Sequence, residues 1–338
     1  MLGAEQRLAV PCFVLSFMLL TMPELDARAE VGFNAQGILF YTDDVGVFSA
    51  TRRLSRDNDP TQPAIDTRLT NQGSDVVFEP DARVTESFEN PFGKTELSLR
   101  GQGFVFVDNP RFNHGTLNVQ ALHAFSDATR VRFRYYYAPD LFLGENEVRN
   151  LSSEGLAAET VTSHIWSTRV EQRLTRDVDA RLLMRYGIRR YNEAFAERDT
   201  NFWTIGPHLA WRVSERVVLG FSYHYERGLA EGRNQPEFKD DVSYVNHYLS
   251  ADVDVELMER LVVSAAVHYE RNNWTSGIVG DERNGAHETI YQGEVMLIRR
   301  LTEVWTSFVG FQRSSRKQSF EPEAVKNTNV GVGVRASF

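Results

Sequence analysis

Arg130, Arg132 and Arg134 occupy every second position of ATRVRFRYYYA, with Val131, Phe133, Tyr135 and Tyr137 interleaved. Side chains two apart share one face of an extended strand, whereas a helix would scatter these arginines around its circumference. The stretch ARLLMRYGIRRY does the same, setting Arg181, Arg185 and Arg189 against Leu182, Met184, Tyr186 and Ile188, and Arg169 and Arg173 share the polar face of the tract before it. Further along, LSADVDVEL opposes Asp252, Asp254 and Glu256 to Leu249, Ala251, Val253, Val255 and Leu257, while Glu270 and Glu294 fall on the polar side of two later tracts. Rows of like charge are tolerated in an enclosed space only where water or counter-charge reaches them. A basic wall facing an acidic one across a wet space makes a transverse field that concentrates and orients ions and dipolar solutes. The competing reading is local neutralisation, for instance Arg132 or Arg134 with Glu171, which only holds a wall together.

Other candidate chemistry is thinner. His208, His224 and His268 share the polar face of their tracts and His247 the apolar one. An isolated inward histidine is more often a hydrogen-bonded wall residue than a base. His224 with Glu226 and His268 with Glu270 could hold a metal, yet such i, i+2 pairs arise freely on polar faces, so no metal and no cofactor is expected. No phosphate-binding loop or dinucleotide fingerprint is present, and the charged stretches GRNQPEFKDD and GDERNGAH read as exposed loops.

The elements that position these residues are strands. Period-two alternation dominates over segments of roughly 10 to 14 residues, about what a tilted strand needs to cross a bilayer. Short connections near 89–93, 126–129, 175–179, 214–216, 258–260 and 302–304 alternate with longer ones near 56–73, 108–115, 141–158, 193–199, 228–241, 272–287 and 317–326. That pattern predicts an all-β, antiparallel, up-and-down transmembrane barrel of about fourteen strands, with 12 or 16 as the alternatives, and both termini on the short-turn side. Alternation occurs both before and after Asp43-Asp44. The first strand is placed at 44–55, leaving 30–43 as a periplasmic segment or an occupant of the lumen and 44–338 as the barrel.

Residues 1–29 read as a secretory signal peptide, with Arg7, an apolar run from Leu8 to Met22, and Ala27-Arg28-Ala29 before the cleavage point. Cys12, the single cysteine, falls inside that leader. With 25% charged residues, 12% aromatics and a net charge of -9, the 338-residue chain has neither the long apolar runs of a helical membrane protein nor a basic nucleic-acid footprint. It closes on NTNVGVGVRASF, where Val330, Val332, Val334, Ala336 and Phe338 share a face opposite Asn329, Gly331, Gly333, Arg335 and Ser337. Such a strand ends in an aromatic only if a neighbouring strand holds it.

The leader, the alternation of short turns with long loops and the aromatic-terminated last strand resemble the outer-membrane β-barrels of Gram-negative bacteria. The resemblance spans the chain after the leader and singles out no subfamily. It implies that Val330, Val332, Val334 and Phe338 form a sorting signal read by the β-barrel assembly machinery, that outer-membrane lipids surround the protein, and that both termini are periplasmic. It implies a porin-like conduit for small polar or anionic solutes, lined by the arginines and acids above. The alternatives are a structural or assembly-partner barrel holding a protein in its lumen or at its periplasmic face, and an outer-membrane hydrolase. No His-x-Ser-Asn-Gly-like stretch occurs, since NHGT at Asn113 and VNHYLS around Asn246 do not match, so no enzyme activity is expected.

Overall fold

A computed structural model describes residues 30–48, 73–149 and 155–338. The proposed leader lies outside these residues. Fourteen antiparallel strands follow one another: β1 (Glu30–Thr42), β2 (Asp75–Asn90), β3 (Gly93–Phe106), β4 (His114–Ala124), β5 (Thr129–Val148), β6 (Gly155–Arg173), β7 (Val178–Tyr191), β8 (Thr200–Ser214), β9 (Val217–Ala230), β10 (Tyr244–Met258), β11 (Leu261–Trp274), β12 (His287–Arg300), β13 (Trp305–Gln318) and β14 (Val325–Ser337). Each strand pairs with its sequence neighbours and β1 pairs with β14, so the sheet closes into a barrel. Closure removes the two edges whose unpaired N–H and C=O groups a hydrocarbon environment would not satisfy.

The period-two pattern sorts the side chains. Leu97, Leu99, Phe133, Leu182, Met184, Phe221, Val267, Val295, Val309 and Val332 point outward and are exposed. Aromatics lie at both ends of this apolar band: Trp211, Trp305 and Phe338 towards the short turns, and Trp203, Tyr186 and Tyr291 towards the long loops. An apolar band with aromatic borders is the outside of a bilayer-spanning barrel. The closing seam is well made. Phe33 and Phe338 exchange backbone hydrogen bonds of 3.0 and 2.8 Å, and their rings stack with centroids 6.3 Å apart. On the inner side of that seam Gly331 lies under the ring of Phe40 and Gly333 under that of Phe308, where a Cβ would come within 2.5 and 2.4 Å of ring carbon.

Residues 30–42 are not a periplasmic segment or lumen occupant but β1 itself, in continuous register with β2 from Glu30↔Ser87 to Thr42↔Asp75 and with β14 from Asn34↔Ser337 to Thr42↔Asn329. The expected first strand at 44–55 begins instead with a helical turn over 45–48, and its remainder lies outside the described residues. Asp44 stops the strand, because its side chain accepts the Gly46 N–H at 2.9 Å and caps the turn. The connection expected at 141–158 is also shorter. β5 continues to Val148 and β6 starts at Gly155, with register shifts at Ala138/Leu141 and Phe142/Gly144, where Asp140 (φ 44°) and Gly144 (φ 140°) take left-handed backbone. Those bulges interrupt the alternation on which the boundary was read.

Candidate functional site in the lumen

The inner face is graded along the barrel axis. At the short-turn end Arg130, Arg173 and Arg181 are exposed, and midway Arg132, Arg134 and Arg169 are half-buried. Nearer the long loops Arg185 and Arg189 are only 5% and 3% exposed. All eight face inward from β5, β6 and β7. Register sets Arg132 directly beside Arg169, Arg134 and Arg185 on either side of Ser167, and Arg130 and Arg181 on either side of Glu171. Side-by-side like charges on neighbouring strands destabilise a sheet unless water or a counter-charge intervenes. Glu171 supplies part of it at 3.4 Å from Arg132, as does Asp179 at 3.6 Å from Arg173.

The acidic residues divide by height. Asp252, Asp254 and Glu256 are half-buried along the short-turn half of β10, with the Asp252 carboxylate over Gly220. Glu270 and Glu294 are buried, at 3% and 8% exposure. Glu294 accepts a hydrogen bond from Gln312 Nε2 at 2.7 Å and lies 3.5 Å from His268 Nε2. The inward histidines join this wall in pairs. His208 and His224 meet Nε2 to Nε2 at 2.7 Å, the ring of Tyr248 stacks on His224, and the Tyr248 hydroxyl reaches His268 Nδ1 at 2.8 Å. His247 points outward and is bonded to the Tyr223 hydroxyl at 2.8 Å.

Glu226, absent from the sequence-level set of lining residues, joins the two signs of charge. It accepts hydrogen bonds from Thr204 and Tyr244, both at 2.6 Å, and lies 3.8 Å from Arg185 and 3.9 Å from Arg189. Arg189 also donates to the Tyr244 hydroxyl at 2.8 Å and lies over the Phe202 ring at 4.2 Å. The basic and acidic walls are therefore separate only in the short-turn half. Glu226 was identifiable from sequence as the inward neighbour of His224; what sequence could not give was its reach across β8 to β7.

The long-loop mouth is packed in two ways. On the side of β1 to β4, Val45 and Phe48 of the helical turn are fully buried, while Val47 packs on Leu141, Leu143 and Val161 of β5 and β6. Phe48 meets Phe40, Phe104 and Phe106 edge-on, with centroids 5.6, 6.5 and 5.8 Å away, and Phe112 extends the cluster. Across the mouth an ion-pair lattice ties the loops together. Asp240, fully buried, accepts from Arg198 Nε at 2.6 Å and Arg283 Nη1 at 2.7 Å, and Arg198 also donates to Glu159 at 2.7 Å. Arg149 reaches the Lys239 carbonyl at 2.7 Å and Glu282 at 2.8 Å. Burial opposes ionisation of Asp240, but the two guanidiniums outweigh it and hold its carboxyl below the usual carboxylate range. A second buried pair, Arg316 with Glu288, links β13 to β12 beneath these loops.

The outward set that sequence marked as a sorting signal lies where its alternation put it: Val330, Val332, Val334 and Phe338 are 46%, 54%, 47% and 69% exposed on the outer face of β14 and just beyond it.

No protein-family model matches the sequence, and no curated protein matches it. Solved structures match the fold. The outer-membrane channel DcaP of Acinetobacter baumannii aligns over 92% of this chain and 97% of its own, with a TM-score of 0.51 and 10% identity. A bacterial polysaccharide outer-membrane secretin aligns over 91% and 98%, with a TM-score of 0.50 and 8% identity. At such identities the likeness establishes architecture: the chain has the fold of an outer-membrane β-barrel.

Proposed function

We propose that this protein is an outer-membrane conduit for small polar or anionic solutes, held shut at its long-loop end in the conformation described. The observation that carries this reading is the graded inner face of β5 to β7. Its eight arginines outnumber the inward carboxylates Glu159, Glu171 and Asp179 on the same strands, and they pass from exposed at the short-turn end to buried at the mouth. A vestibule of that kind raises the local concentration of anions and passes them towards a constriction. The likeness to a channel in fold supports the reading without specifying a solute.

The remaining assignments belong to the same proposal. Residues 1–29 direct export, both termini face the periplasm, and the assembly machinery reads Val330, Val332, Val334 and Phe338. The lining set comprises Arg130, Arg132, Arg134, Arg169, Arg173, Arg181, Arg185 and Arg189 with Asp252, Asp254, Glu256, Glu270 and Glu294. The chain is read as a non-enzyme because its inward histidines are engaged with one another and with tyrosine. One observation favours the alternative, a barrel that docks a protein partner: the lumen is tightly packed through its loop-end half.

Conductance separates the two. Purified, folded protein in a planar bilayer should give discrete current steps that favour anions. Folded barrel that passes no current at neutral or acid pH would remove the conduit and leave the docking role.

A further inference from the structure

The outer surface carries a charge pattern that the conduit does not use. In β1 to β6 every lysine and arginine of the strands points inward. In β9, β11 and β13 an arginine points outward two residues beyond an outward aromatic, as Tyr225 and Arg227, Tyr269 and Arg271, Phe311 and Arg313. Each arginine lies within five residues of the loop end of its strand. The three alternate with β10 and β12, which spaces them about 10 Å apart across the sheet. Lys317 and Lys326 continue the row on β13 and β14, both exposed.

Among the described residues no carboxylate forms an ion pair with this row. Arg271 Nε donates to Asn273 Oδ1 at 3.1 Å and Arg313 Nη1 to Thr328 Oγ1 at 3.0 Å, neutral partners that orient the guanidiniums and leave their charge available. Arg190 on β7, by contrast, is answered by Asp199 at 3.3 Å. Below the row, strands β11 to β14 present Val267, Val295, Val309 and Val332. The sector therefore offers, in order from mid-membrane outward, an apolar strip, an aromatic border and a line of uncompensated cations.

We propose that the β9 to β14 sector binds a phosphate-bearing lipid of the leaflet at the long-loop end, its acyl chains along the apolar strip and its phosphate groups against Arg227, Arg271, Arg313 and the two lysines. The chemistry favours a lipid over a free anion because the cations directly adjoin apolar surface, and favours phosphate because guanidinium matches its oxygens in pairs. A second copy of the chain would bring this row against itself or onto an outer face bearing few charges. The inference rests on the barrel standing in a bilayer, not on solute passage.

The test uses folded protein in uncharged maltoside micelles, with dioleoyl phosphatidic acid or dioleoyl phosphatidylcholine added at equal concentration and bound lipid counted by native mass spectrometry. Phosphatidic acid should bind in preference. The triple variant Arg227→Gln, Arg271→Gln, Arg313→Gln should weaken that binding at least tenfold, while Arg130→Gln, Arg173→Gln, Arg181→Gln, the same charge change inside the lumen, should leave it unaltered. Heat-modifiable migration checks folding. Should the outer triple fail to fold, each single variant should still weaken binding a few-fold. Equal binding of the two lipids, wild-type binding by the outer variants, or a change in self-association in place of lipid binding would each overturn the proposal. Conductance of the outer triple should match wild type, so this result and the conduit experiment fail independently.

Discussion

Asp240 is the residue on which the closed mouth turns, because it receives both Arg198 and Arg283 while fully buried. Removing one member of a buried ion cluster leaves the others desolvated and uncompensated, at a cost of about 3 to 5 kcal/mol. Asp240→Asn should therefore release the loops without unfolding the barrel, detected as faster proteolysis at 231–243 and 275–286 with unchanged heat-modifiable migration. The pH dependence has a definite sign. The folded carboxyl titrates below its unfolded value, so its stabilisation is complete above the unfolded value and is lost as pH falls through the lower, folded one. Loop release in wild type should accordingly appear only below the ordinary carboxylate range, and Asp240→Asn should lose that acid step. Equal loop proteolysis in variant and wild type at neutral pH would show that the lattice does not hold the mouth.

At the scale of elements, the six short turns are where sequence placed them, as are most long loops, since Gly, Asp, Ser and charged residues interrupt the alternation there. β1 was misread for a physical reason. Its inner face carries Ile38 and Phe40, as apolar as its outer Leu39 and Tyr41, because the helical turn over 45–48 packs on it as a plug. Residues after Asp44 alternate too, yet Val45, Val47 and Phe48 fold inward as a turn, a choice set by contacts with Phe104 and Phe106, far away in sequence. The inward arginines were legible from period two alone. The Glu226 junction, the Asp240 lattice and the outer arginines were not read, although the recurrence of Tyr225-Glu226-Arg227 as Tyr269-Glu270-Arg271 was a visible signal for the last. Phe48→Ala should cost about 3 to 5 kcal/mol of plug docking, the usual loss for a buried phenylalanine. Because Phe48 belongs to no strand, the barrel should still assemble and its open probability in planar bilayers should rise. Unchanged current from a folded variant would assign the obstruction to the loop lattice instead.

For the whole molecule, the separation of basic and acidic walls in the short-turn half predicts selectivity that salt can screen. Changing the half-buried Arg134 and Arg169 together to Glu should move the reversal potential towards cations at low salt, with the shift shrinking as the Debye length falls from about 30 Å at 0.01 M to about 3 Å at 1 M. Lumen substitutions of this kind chiefly tune selectivity, whereas an arginine placed at the outward Leu182 meets hydrocarbon, at about 2 to 4 kcal/mol near the midplane. Leu182→Arg should thus lower the folded yield. A lumen variant that cannot fold beside a healthy Leu182→Arg would exchange inside and outside.

The seam between β1 and β14 also dictates an order of events. Gln36 and Arg335, hydrogen-bonded across it at 2.9 Å, are 299 residues apart in the chain. Every other strand pairing joins sequence neighbours and can form as a local hairpin, but this one encloses nearly the whole polypeptide. Bringing such distant residues together directly from a flexible chain would cost about 5 kcal/mol in loop entropy before any contact repaid it. Sequential hairpin addition reduces that cost by holding the ends on a growing curved sheet, which leaves the seam as the last ladder to zip. Until then two edges are open, and the species that accumulates when assembly stalls is a curled sheet with thirteen completed ladders and one gap. The stacked rings of Phe33 and Phe338 and the ring-covered glycines at 331 and 333 are thus a clasp, engaged only once the rest of the wall is in place.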